Sequence, residues 1–87
     1  MTAEMIDIRR RRAAYRATHR GTKEMDLMLG RYADAALPAL SDPQLAQLEQ
    51  FLALPDPELQ RWLLTPAADV APAYAGLVAD IRRFHGL

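Results

Sequence analysis

Apolar side chains recur along this chain at intervals of three and four residues, and no segment alternates in the manner of a strand, so the pattern predicts helices throughout. The clearest stripe is Met25, Met28, Leu29, Tyr32 and Ala36, at i, i+3, i+4, i+7 and i+11. A third helix is expected to turn Leu45, Leu48, Phe51 and Leu52 inward, and a short fourth Leu59, Trp62 and Leu63. A fifth carries Tyr74, Leu77, Val78, Ile81 and Phe84. The first pattern, from about Asp7 to His19, is thin. It sets Met5, Ile8, Arg12 and Tyr15 at helical spacing with Arg9, Arg10, Arg11 and Arg16 around the rest. Such a helix belongs at a bundle edge, where arginine stems cover apolar surface while the guanidinium groups stay wet.

Punctuation supports these boundaries. Gly21 separates the first two patterns and can take positive φ. Ser41-Asp42-Pro43-Gln44 opens the third helix, either with Ser41 and Gln44 as a capping box or with Asp42 capping ahead of Pro43. Pro55 interrupts that helix, and Asp56-Pro57 repeats the cap-then-proline order for the fourth. Thr65 to Asp69 reads as a loop, Pro72 opens the last helix, and Gly86 ends it. The expected fold is all-α, a small bundle of four to five short helices forming one domain over residues 1–87, with residues 1–6 a loosely ordered N-terminus.

A chain of 87 residues buries only about 60–65% of its unfolded surface and has little room for an internal substrate cavity. Surface recognition is the better expectation. The absence of cysteine rules out a disulfide framework and thiolate metal sites. No apolar run approaches the ~20 residues of a membrane span, and the N-terminus lacks the apolar core of a secretory signal, so a cytoplasmic protein is expected. Net charge is zero, yet residues 1–24 hold seven Arg and Lys against three Asp and Glu, while residues 25–87 hold four against eight. An asymmetry of this kind steers association with a partner of complementary potential.

The junction Arg20-Gly21-Thr22-Lys23-Glu24, followed by Asp26, concentrates opposite charges around a glycine where two helices meet. Read alone, it is a helix-ending glycine with an exposed ion pair worth a few tenths of a kcal/mol. Its context is longer. Arg16-x-x-x-Arg20-Gly21-x-x-Glu24-x-Asp26-x-x-Leu29 resembles the signature of the small succinate dehydrogenase assembly factors, the flavinylation factors often called SdhE. Downstream, Asp56-Pro57-Glu58-Leu59-Gln60-Arg61-Trp62-Leu63 is similar to that family's Asp-x-x-Leu-x-x-Trp-Leu segment, and the resemblance covers roughly residues 7 to 85.

The resemblance implies a helical, chaperone-like factor that binds the flavoprotein subunit of succinate dehydrogenase, and in some cases of fumarate reductase. It promotes covalent attachment of FAD to a histidine of that subunit. It implies that no cofactor is bound stably by the factor, the FAD being attached to the partner. It also implies that Arg20, Gly21 and Glu24, with Asp26 beside them, form the functional surface. Tyr15, Arg16 and His19 are expected to extend this contact along the first helix. Thr22 and Lys23 are polar where relatives often carry an apolar residue, which touches only fine contacts.

Other chemistries fit less well. The run Arg9 to Arg12 could track a phosphate backbone, giving a nucleic-acid-binding regulator or antitoxin-like module as the alternative. No aromatic interleaving accompanies it, and the remaining chain is acidic, so no nucleic-acid partner is expected. His19 and His85 lack carboxylates at ligand spacing, and no metal site is expected. Glu24 and Asp26 are two apart on a helix and point in different directions, and no nucleophile-base grouping is present, so a catalytic role is not expected.

Overall fold

A computed structural model describes residues 3–87, with side chains described from Met5 onward. Five α-helices run in the order α1 (Ala3–Thr18), α2 (Lys23–Ala36), α3 (Asp42–Leu52), α4 (Asp56–Leu64) and α5 (Ala75–Phe84). Short 3-10 turns at Leu37–Ala39 and Pro72–Tyr74 lead out of α2 and into α5. No strand occurs among the described residues. The all-α expectation therefore stands. Of the N-terminal residues 1–6, residues 3–6 belong to α1, and residues 1 and 2 lie outside the described residues.

The core forms where the strong stripes converge. Met25, Leu29, Tyr32, Leu45, Leu48, Phe51, Leu52, Leu59, Trp62, Leu63, Leu77, Val78 and Ile81 are all buried. Their large apolar side chains supply most of the driving force, about 1.5–3 kcal/mol for each one fully withdrawn from water. Phe51 of α3 is central, with its ring centroid 6.3 Å from that of Trp62 in α4 and 5.6 Å from that of Tyr74 ahead of α5. Some members of the expected stripes emerge: Phe84 is exposed, and Met28, Ala36 and Tyr74 are half-buried.

Helix α1 reverses its expected face. Ile8 and Tyr15 point outward, as does Met5, while Ala13 and Ala17 are buried and Ile6 and Ala14 pack against the core. Small side chains let α1 approach α2 closely. A Cβ added to buried Gly30 would sit 2.8 Å from the Thr18 methyl group. The Thr18 hydroxyl is itself held near Ala14 O (2.9 Å) and Tyr15 O (3.1 Å), which limits rotation of that methyl. Gly30→Ala should therefore destabilise the domain although alanine is the better helix former. In a Thr18→Ser background, where the methyl is gone, the same change should stabilise it by about 1 kcal/mol in urea denaturation.

Arginines complete the seating of α1. Arg9 reaches Asp42 at 2.6 Å and Glu49 at 2.5 Å, joining α1 to α3. Arg10 bonds Asp7 in its own helix and the Leu40 carbonyl. Part of the charge asymmetry read along the chain is thus spent inside the fold. The third helix opens as a full capping box, Ser41 Oγ accepting from the Gln44 N–H and Gln44 Oε1 accepting from the Ser41 N–H. The fourth opens differently. Pro55 occupies the capping position, Asp56 is the first helical residue, and its carboxylate makes no cap.

Candidate functional site

The α1–α2 corner is built from its backbone outward. Helix α1 ends at Thr18, and the chain turns at Gly21, whose φ is +108°. A Cβ there would meet nothing within 4 Å, so the requirement for glycine is conformational, since side-chain-bearing residues rarely hold that φ. Thr22 then caps α2, its hydroxyl accepting from the Met25 N–H at 3.3 Å. Glu24 and Asp26 fall in the first turn, facing the positive end of the helix dipole.

The two charges named by the motif have different fates. The Asp26 carboxylate accepts the backbone N–H of Arg20 at 2.5 Å and so closes the corner internally. Arg20 is not free to reach another molecule. Its Nε donates to Asp56 Oδ1 at 2.8 Å, one terminal nitrogen lies 2.7 Å from the same carboxylate and 2.9 Å from Leu54 O, and the other donates to Leu52 O. Only 11% of the Arg20 side chain remains exposed. Leu52 and Leu54 sit at the C-terminal end of α3, where carbonyls lack helical partners and the dipole is negative. A single guanidinium thus satisfies the end of α3 and pairs with the start of α4. The expectation that Arg20 faces outward is corrected, as is the reading of Asp56 as a helix cap.

One consequence is architectural. The Arg-Gly-x-x-Glu segment and the Asp-x-x-Leu-x-x-Trp-Leu segment, 36 residues apart at the Arg20 to Asp56 pair, are physically joined. Each carries one half of an ion pair. That complementarity of sign was the only trace in the sequence of their meeting.

What remains on the surface is Tyr15, Arg16, His19, Gly21, Lys23 and Glu24, all exposed. Tyr15 and His19 stack, with ring centroids 3.9 Å apart and planes 15° from parallel. His19 Nδ1 lies 2.8 Å from the Tyr15 carbonyl; a carbonyl only accepts, so Nδ1 carries the proton and Nε2 is left facing away from that bond. Glu24, Lys23 and Arg16 make no ion pair among the described residues. The corner therefore offers a carboxylate, two cations and an aromatic-imidazole stack on a backbone fixed from beneath.

A sequence profile described as the flavinator of succinate dehydrogenase matches residues 11–85. The chain belongs to that family. Among flavinator-family relatives, it is 37% identical over 78 residues to the FAD assembly factor SdhE of Acetobacter pasteurianus, covering 85% of this chain and 72% of that protein. It is 38% identical over 71 residues to the mitochondrial succinate dehydrogenase assembly factor 2 of Meyerozyma guilliermondii, covering 82% of this chain and 52% of that one. The chain thus spans about half the length of that mitochondrial relative. No solved structure matches it.

Two further observations bear on the expectations for this flavinator-family chain. The Arg9 to Arg12 run is not a continuous cationic strip, because Arg9 and Arg10 are half-buried and drawn into internal bonds while Arg11 and Arg12 are exposed. No helix among the described residues is long and apolar enough to cross a membrane.

Proposed function

We propose that the chain performs its family's task, assembly of flavinylated succinate dehydrogenase, by docking the α1–α2 corner on the flavoprotein subunit. It holds that subunit in a conformation competent to take FAD covalently. The observation that carries this reading is the division of labour at the corner: Arg20 and Asp26 are consumed in fixing the backbone, while Gly21, Glu24 and the Tyr15–His19 stack are left exposed.

A factor of this kind acts by differential affinity for two states of its partner. Moving a population from 1:99 to 99:1 takes about 10⁴-fold preference, roughly 5.5 kcal/mol. Two or three charge-assisted hydrogen bonds, at about 1.5–3 kcal/mol each, reach that scale if they form with one state only. Glu24 and Arg16 supply the charges, His19 a ring nitrogen, and Gly21 a surface without a side chain that lets the partner's backbone come close. Preorganisation matters here, because a corner already ordered loses little entropy on binding. Reaction at the flavin needs accurate positioning within the subunit, which a held conformation provides.

Glu24→Ala tests the assignment. The side chain is exposed, so stability should change by no more than about 0.5 kcal/mol. In cells lacking their own factor, the covalent-flavin band of the flavoprotein subunit should weaken at least about tenfold, as loss of one charge-assisted contact implies. Full restoration of that band by both Glu24→Ala and Gly21→Arg, with helical spectra intact, would overturn the proposal.

A further inference from the structure

The outer face of α2 carries a feature that starts at Glu24 of the corner and runs beyond it. Glu24, Leu27 and Arg31 follow one another at i, i+3 and i+7 along it, and Leu27 is 51% exposed. Opposite stands Leu64, the last residue of α4, 41% exposed. With half-buried Met28 and His85, these residues line a cleft of about 260 Å³. Its floor is fixed: His85 Nε2 lies 2.7 Å from the Met28 carbonyl and must carry the proton of that bond, which ties the end of α5 to α2. On the α1 side, Leu27 and Arg31 also border a second cleft of about 290 Å³ that reaches Thr18 and Asp26 of the corner. The face is therefore continuous with the corner.

The rim of the first cleft is bipolar. Glu24 stands at one end and Arg31 two turns further on, about 10 Å along the axis. Both are exposed, and neither makes an ion pair with another of the described residues. An apolar slot with opposite charges at its ends fits a helical segment that presents an apolar side chain between one basic and one acidic residue. Resting on the function proposed above, we infer that this cleft receives such a segment of the flavoprotein subunit. The segment's apolar side chain sits between Leu27 and Leu64, its basic residue meets Glu24 and its acidic residue meets Arg31. A second copy of this chain, laid antiparallel on α2, would match the charges too. It would also cover Glu24 and close the corner to the enzyme subunit, and the subunit is therefore the occupant the geometry favours.

Leu27→Asp, Leu64→Asp and Arg31→Glu, all at exposed positions, are compared with wild type and with Gly21→Arg. The measurements are affinity for the purified flavoprotein subunit lacking covalent FAD, sedimentation of the factor alone, and the helical spectrum. Each cleft variant should keep its spectrum and lose at least about tenfold in affinity. Arg31→Glu, which leaves every apolar contact intact, keeps the test decisive if an aspartate variant unfolds. Cleft variants that bind like wild type while Gly21→Arg does not would overturn the cleft and leave the corner standing. Loss in the cleft variants with Gly21→Arg unaffected would support the cleft and overturn the corner as a docking surface. Wild-type binding by all of them would overturn both. If Leu27→Asp turns a dimer into a monomer while subunit binding is unchanged, the occupant is a second copy and the inference fails.

Discussion

Replacing Arg20 by alanine should cost the domain about 3 kcal/mol, the low end for removing one member of a buried ion pair because Asp56 keeps some solvent contact. For a domain of this size that corresponds to a fall in melting temperature of roughly 12–24 °C. A chain of 87 residues has a total stability of about 4–13 kcal/mol, so the variant would be marginal at physiological temperature. The loss exceeds that of a surface ion pair because three acceptors, the Asp56 carboxylate and the carbonyls of Leu52 and Leu54, lose one donor together. Arg20→Lys should recover only part of it, since an ammonium lacks the planar fork that spans them. Urea denaturation of the three proteins checks this. An Arg20→Ala protein within about 1 kcal/mol of wild type would show that the clasp is not what holds the α3–α4 junction. The expectation changes how an inactive Arg20 variant is to be read: as a corner that has lost its anchor, and not as a missing contact to the partner.

Phe51→Ala is the other large effect, expected at about 3–5 kcal/mol. Phe51 is fully buried and touches the rings through which α4 and the entry to α5 meet α3; Trp62 and Tyr74 are themselves 6.0 Å apart. Removing it opens a cavity that three separate elements would have to close. Phe51→Leu, which keeps most of the volume, should cost about 1–1.5 kcal/mol. Trp62 is the sole tryptophan, so its fluorescence follows the unfolding of both variants directly. A Phe51→Ala cost below about 1 kcal/mol would mean that the site collapses without penalty and that the cluster is not central.

Where side chains are large and apolar, the fold was legible. Leu45, Leu48, Phe51 and Leu52 repeat at helical spacing, bury together, and could hardly be read otherwise. Helix α1 escapes the pattern for the complementary reason. Its inner face is Ala13 and Ala17, which carry little hydropathy, and its seat is completed by arginines whose partners lie on other helices. Periodicity sees apolar bulk, so it selected Met5, Ile8 and Tyr15, which face outward.

At the corner, local signals served and distant ones did not. Gly21 at positive φ and Glu24 in the first turn of α2 follow from residue type and position. The pairing of Arg20 with Asp56 depends on how α3 ends beside the corner, which no local pattern encodes; at the head of α4 an aspartate before a proline looks like a cap. Leu27 and Arg31 belong to no motif, and only the packing of α4 and α5 against α2 makes them the wall of a cleft.

The clasp between Arg20 and Asp56 also governs what can be borrowed from this protein. A peptide copied from residues 15–29, or the same loop grafted onto another helical hairpin, would carry every exposed group of the corner and none of the elbow beneath it. Such a graft should wander among shapes and inhibit weakly. Transplanting the recognition element means importing the α3–α4 elbow with it, and a chain that has exchanged one of these two residues should tolerate the exchange only where the other has changed to suit.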